Sequence, residues 1–102
     1  MSEDVKKILE KTREILTPPE KWIKHTFELD GCYCLLGAMN QAVESLHLQS
    51  VMYSKAITVV HSVICDRTKL SVVPVSWWND DEDTTHEMVL EVLDEAIARV
   101  SK

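Results

Sequence analysis

The apolar positions of this chain recur at helical spacing over most of its length. Val5, Ile8, Leu9, Ile15 and Leu16, with Thr12, fall at i, i+3, i+4 intervals, and Lys6, Lys7, Glu10, Lys11 and Arg13 lie between them. This predicts an amphipathic helix that stops before Pro18, because the residue preceding a proline avoids helical geometry. Thr17-Pro18-Pro19-Glu20 then reads as a fresh start, with Thr17 as cap, Pro18 at the first helical position and Glu20 closing a capping box. The short second helix would run to about His25 and carry Trp22 and Ile23 inward.

Residues 26–33 alternate about Asp30-Gly31, a pair that marks a tight β-hairpin. Two strands alone are marginal, so the hairpin must pack on helices. From Cys34 the pattern is helical again: Leu35, Ala38, Met39, Ala42, Val43 and Leu46 share one face, and the helix should fray near His47. Gly37 inside it costs ~1 kcal/mol relative to alanine, which a close helix contact would explain. Over residues 54–65 the apolar positions do not alternate, which favours a helix capped by Ser54. The run Ile57-Thr58-Val59-Val60 also suits a strand. Residues 70–75 read as extended, with Pro74 keeping them at a sheet edge or outside a ladder. Thr84-Thr85-His86-Glu87 is a capping box, and Val89, Val92, Leu93, Ala96, Ile97 and Val100 form the stripe of a last helix behind it. The sum is an α+β fold, predominantly α: four main helices with a small β-hairpin or short extended strands, in a single compact domain over residues 1–102.

Charge narrows the function. Eleven basic and 17 acidic residues give a net charge of −6, a poor match to nucleic acid or to an anionic membrane surface. No apolar run approaches the ~20 residues that span a bilayer, and the charged start lacks a signal-peptide core, so a cytoplasmic address is expected. Three cysteines, Cys32, Cys34 and Cys65, fit reduced thiols better than a disulfide framework. Two glycines and three prolines leave little room for linkers.

Candidate chemistry concentrates in Trp77-Trp78-Asn79-Asp80-Asp81-Glu82-Asp83-Thr84-Thr85-His86. In an extended segment Trp77 and Trp78 would face opposite sides, one in the core and the other free as an interface anchor. Asn79 and Asp80 suit turns and caps, and the structural role fits Asp80 best. The expected function is a non-enzymatic binding or regulatory module. Its surface would comprise Trp22, Cys34, Trp77, Trp78, Asn79, Asp80, Thr85 and His86. Its target would be a host protein or small signalling molecule, with no cofactor and a homodimer as the expected assembly. The alternative is a small thiol enzyme: Cys34 at a helix start has its pKa lowered by the dipole, His86 serves as base, and Asp80 or Asn79 orients the imidazole. His25, Cys32 and Cys34 fall one ligand short of a structural zinc site. Residues 80–83 lack the alternating ligands of a calcium loop.

Two blocks carry a family resemblance. Gly31-Cys32-Tyr33-Cys34-Leu35-Leu36-Gly37-Ala38-Met39 resembles a glycine-cysteine-x-x-glycine-alanine-leucine helix start, and Trp78-Asn79-Asp80 through Val89 resembles a Trp-Asn-Asp, threonine, helix arrangement. With Trp22, these resemble the family called domain of unknown function 6197, common in actinobacteria and their phages. The likeness runs from about Ile8 to Ile97. It departs where Asp81-Glu82-Asp83 stands in place of a glycine-arginine turn, and through residues 50–74. It implies a phage or phage-like origin and action on a host protein or signal, and brings no activity with it.

Overall fold

The first helix, α1 (Ser2–Leu16), is the element around which the others gather in the computed structural model, which describes residues 2–101. A single 3₁₀ turn (Pro19–Lys21) leads to a hairpin of β1 (Glu28–Leu29) and β2 (Cys32–Tyr33). Four helices follow: α2 (Leu35–Ser45), α3 (Ser50–Thr68), α4 (Val75–Asp80) and α5 (His86–Val100). α1 packs on α2, α3 and α5, and α4 wedges between α2 and α3. The predominantly α fold with one small antiparallel hairpin agrees with the hydrophobic pattern, and α4 is added to the four main helices.

One core accounts for the arrangement. Ile8, Leu9 and Leu16 of α1 meet Leu35 and Met39 of α2, Val60, Val63 and Ile64 of α3, and Val89, Val92 and Leu93 of α5. Each such side chain contributes about 1.5–3 kcal/mol by leaving water. Thr12 lies among them because its hydroxyl donates back to the Ile8 carbonyl at 2.7 Å, so no polar group is left unpaired. Ion pairs fasten the outside: Arg13 of α1 to Asp94 of α5, Arg67 of α3 to Glu91 and Glu95, and Arg99 to Asp66 and Glu95. At the surface each is worth about 0–1 kcal/mol, so burial decides the fold and the pairs trim its register.

Several local readings change. The second helix is one 3₁₀ turn, because Pro19 holds Pro18 extended (φ −70°, ψ 125°) and two prolines remove two N–H donors. Thr17 does not cap it; its hydroxyl donates to the Arg13 carbonyl at 2.7 Å. Trp22 and Ile23 are extended instead. Trp22 bridges Tyr33, and the Ile23 N–H donates to the Tyr33 carbonyl at 3.0 Å. α3 begins at Ser50, with Gln49 as cap, so Ser54 lies inside the helix and the strand alternative is excluded. The last helix is capped by Thr85 rather than Thr84: Thr85 Oγ1 accepts from the Met88 N–H, and Thr84 is buried. Trp77 and Trp78 lie in α4, which Pro74 precedes, not in an extended segment.

The hairpin turn has Asp30 at φ 52° and Gly31 at φ 79°, as a two-residue type I′ turn requires. Leu29 then pairs with Cys32 and Glu28 with Tyr33. Gly37 explains how the hairpin seats on α2. The close contact there is not with another helix: a methyl on Gly37 would overlap the Phe27 carbonyl oxygen, which already accepts from the Cys34 N–H at 3.2 Å. Gly37→Ala should therefore lower stability by about 1–3 kcal/mol, although alanine is the better helix former by ~1 kcal/mol. Urea unfolding gives the sign, and a stabilised variant would refute the packing role.

Candidate functional site

α4 presents Ser76, Trp77, Trp78, Asn79 and Asp80 in little more than one turn. Successive residues point about 100° apart, so adjacent side chains enter different environments. Trp78 drops into the core at 7% exposure, whereas Trp77 is 75% exposed. Val75 is buried with Trp78 and anchors the same side of the short helix.

Asn79 is 1% exposed and fully committed. Its Oδ1 accepts from the Trp22 indole Nε1–H at 2.6 Å and from the Leu35 backbone N–H at 3.0 Å. Its Nδ2 donates to the Ile23 carbonyl at 3.2 Å and to Asp80 Oδ1 at 3.0 Å. The partners fix the amide orientation: the first two can only donate here and the last two can only accept. One side chain thus joins α4 to the Trp22 segment and to the start of α2. Leu35 opens α2, so its N–H has no partner within the helix and would otherwise stay unpaired in the interior.

Asp80 extends the clasp. His25 stands at φ 70°, a conformation that non-glycine residues rarely adopt. Its N–H is thereby turned onto Asp80 Oδ1 at 2.8 Å. Partial burial works against the Asp80 charge. Hydrogen bonds from the His25 N–H and the Asn79 amide, with the positive ends of His25 and Lys24, outweigh it and hold the carboxyl below its ordinary range. Lys24 donates to the Asp81 carbonyl at 2.6 Å and lies 5.5 Å above the Trp22 ring.

A cleft of about 210 Å³ opens beside this clasp. Phe27 and Leu36 give it apolar walls. Asp80, Ser76, His25 and the edge of Cys34 supply its polar atoms. Cys34 caps α2, and its sulfur accepts from the Gly37 N–H at 3.4 Å. Burial pushes the thiol upward, hydrogen bonds from Gly37 and Leu36 pull the other way, and the Asp80 charge pushes up again; the net shift is upward. The helix dipole therefore does not yield a thiolate.

The candidate residues divide into neighbourhoods. Trp22, Asn79 and Asp80 are joined by hydrogen bonds, and Cys34 shares the cleft with Asp80. His86 is turned elsewhere: its Nε2 lies 2.6 Å from the Leu16 carbonyl, so that nitrogen carries the proton, and its ring tilts against Trp22 at 6.3 Å. It neither lines the cleft nor hydrogen-bonds Cys34. Thr85 is occupied as the α5 cap. Cys32 donates to the Glu20 carbonyl at 3.3 Å, and all three cysteines are unpaired. Among the described residues no three histidine, cysteine or acidic side chains gather as a metal site. Nor is any helix there long and apolar enough to cross a membrane. The pattern of the sequence missed Thr26, Phe27, Leu36 and Ser76 as neighbours of the cleft, and set His25 beside Cys34 only as a zinc ligand; the Asp30-Gly31 turn, which folds Phe27 toward Cys34, was the one further signal.

The sequence model of the family of unknown function DUF6197 matches residues 1–99, and the chain belongs to that family. No curated protein and no solved structure matches it.

Replacing Asn79 tests the clasp. Asn79→Leu keeps the branched skeleton, with somewhat greater bulk, and strands the Trp22 and Leu35 donors, so stability should fall by about 2–4 kcal/mol in urea unfolding. An unchanged midpoint would show the four bonds to be dispensable. Alkylation tests the thiol. At pH 7 iodoacetamide should modify Cys32 and Cys65 first and Cys34 only as the protein unfolds, read by peptide mass mapping. Fast modification of Cys34 in the folded protein would return it to the nucleophiles.

Proposed function

We propose that this protein is a non-enzymatic binding module that offers Trp77 and the adjoining cleft to a protein partner. The carrying observation is the contrast between adjacent tryptophans. Trp78 fills the core, while Trp77 leaves three quarters of its surface in water, on a helix that Asn79 holds in place. An exposed indole adds nothing to the fold that a polar residue would not. At an interface it supplies a large apolar area with few torsions to freeze. Because α4 is already clamped, little ordering entropy is lost on association. Phe27, which lines the cleft just before β1 and is also exposed, extends its apolar area.

The support for a thiol enzyme is thinner. Its nucleophile is buried and held protonated, and its proposed base is bonded to a carbonyl elsewhere. For a phage-encoded, cytoplasmic chain the partner would be a host protein. Self-association through the same face is a competing outcome that the same variant resolves.

Trp77→Ala should leave stability within about 0.5 kcal/mol of the parent. It should weaken partner affinity roughly thirtyfold, the loss expected of a hot spot worth ~2 kcal/mol. Trp78→Ala should instead cost about 3–5 kcal/mol of stability. The measurement is affinity capture followed by titration with the captured protein, with Glu44→Ala as the control. A partner that binds the Trp77→Ala protein as tightly as the parent would overturn the proposal. A sedimentation coefficient that falls on Trp77→Ala, with no partner retained, would assign the face to a homodimer.

A further inference from the structure

We infer that the cleft beside Trp77 receives a lysine or arginine side chain from a basic segment of the partner, with an apolar neighbour in that segment resting on the Trp77 indole. This deepens the binding reading and rests on it. Ser76 and Asp80 both line the cleft. Trp77 is not part of the cleft wall, but at i−3 from Asp80 it is that residue's neighbour on the α4 surface and so borders the cleft on that side.

Size, wall chemistry and charge each narrow the occupant. At about 210 Å³ the cleft lies below the ~300–1,000 Å³ of sites that engulf drug-sized ligands. It suits one long side chain. Phe27 and Leu36 match a methylene stem, and a stem of that kind on a soluble surface belongs to lysine or arginine, which bury the stem and keep the head polar. Asp80 is the one lining side chain that is formally charged with histidine neutral. Its Oδ1 is taken by the His25 N–H and the Asn79 amide, whereas Oδ2 has only His25 Nδ1 nearby, at 3.9 Å, too far for a hydrogen bond and an ion pair only when that imidazole is protonated. With no hydrogen bond of its own on a partly exposed side chain, that oxygen has acceptor capacity left for a cationic head. Asp81, Glu82 and Asp83 follow Asp80 in the chain and are exposed, in a protein of net charge −6. Lys24, next to His25 in the chain, is turned to the Asp81 carbonyl and the Trp22 face. An acidic partner would meet Asp80 and the acids that follow it with like charge.

The probe is a ten-residue peptide of alternating leucine and lysine, titrated into the full chain and followed by amide and indole resonances. Its counterpart carries acetyl-lysine at each lysine, which keeps the length and removes the charge. The lysine peptide should shift the amides of Phe27, Leu36 and Ser76 and the Trp77 indole. Its affinity should fall at least tenfold on acetylation. A loss of about tenfold is expected in Asp80→Asn, and likewise in Thr26→Arg, which sets a cation on the exposed cleft wall without touching the clasp. Thr26→Arg keeps the test decisive if Asp80→Asn fails to fold. Absent binding, shifts spread over the other acidic surfaces, or affinity indifferent to acetylation and to both substitutions would overturn the inference. If a captured partner still depends on Trp77 in that case, only the basic-ligand inference falls. If Trp77 dependence is lost as well, the binding module falls with it.

Discussion

The Asn79 side chain is the constraint on which the site depends. Four partners from three stretches of chain meet one amide of 1% exposure. An apolar residue there would fill the space and leave an indole N–H and a helix-start N–H unpaired in the interior, a cost of about 1–3 kcal/mol each. An aspartate would keep the acceptor, lose the donor and set a second carboxylate against Asp80. Asparagine satisfies both halves at once. The Trp22 segment has almost no regular structure of its own, so this amide joins the bridge to Tyr33 and the bonds of Lys24 and His25 to the end of α4 in tying it down.

Clamping α4 has a further effect. A six-residue helix is far too short to persist alone, since nucleation is unfavourable and isolated helices need about 12–15 residues. Val75 and Trp78 hold it from within, and Asn79 and Asp80 hold its end. Trp77 is the large side chain that none of these ties uses. Its position is set by its neighbours while its own surface remains free. An anchor of this kind is rigid because the residues beside it are buried.

The sequence was legible where a pattern extends over many residues. α1, α2, α3 and α5 each carry enough apolar repeats to outvote local ambiguity, and the hairpin follows from the positive-φ demand of Asp30-Gly31. Short elements escaped it. Pro18-Pro19 offered plausible cap chemistry, and its failure comes from what Pro19 does to Pro18, not from any missing cap residue. α4 has no period to detect in six residues, so its two tryptophans read as alternating. The motif Trp78-Asn79-Asp80 stood out as chemically dense, and much of that density serves the fold. Asn79's partners at Trp22 and Leu35 lie 57 and 44 positions away, a distance no local pattern spans. Gly37 was visible as a cost inside a helix, but its partner could only be guessed.

Two titratable groups in one cleft are pushed in opposite directions, and together they set its character. Asp80 keeps its charge because donors converge on it despite partial burial. Cys34 keeps its proton because burial dominates, and the Asp80 charge adds to that effect. Making the thiol reactive would require a cation facing the sulfur, yet the charge nearest by function is an anion whose own ties are structural. Removing that anion to free the thiol would also loosen His25 from its strained backbone position. The clasp and a nucleophilic Cys34 are therefore in conflict. What survives is a fixed carboxylate oxygen, a neutral thiol and two apolar walls, held by a scaffold that would not need to move. Those are properties suited to recognition, in which complementarity is built in before the partner arrives.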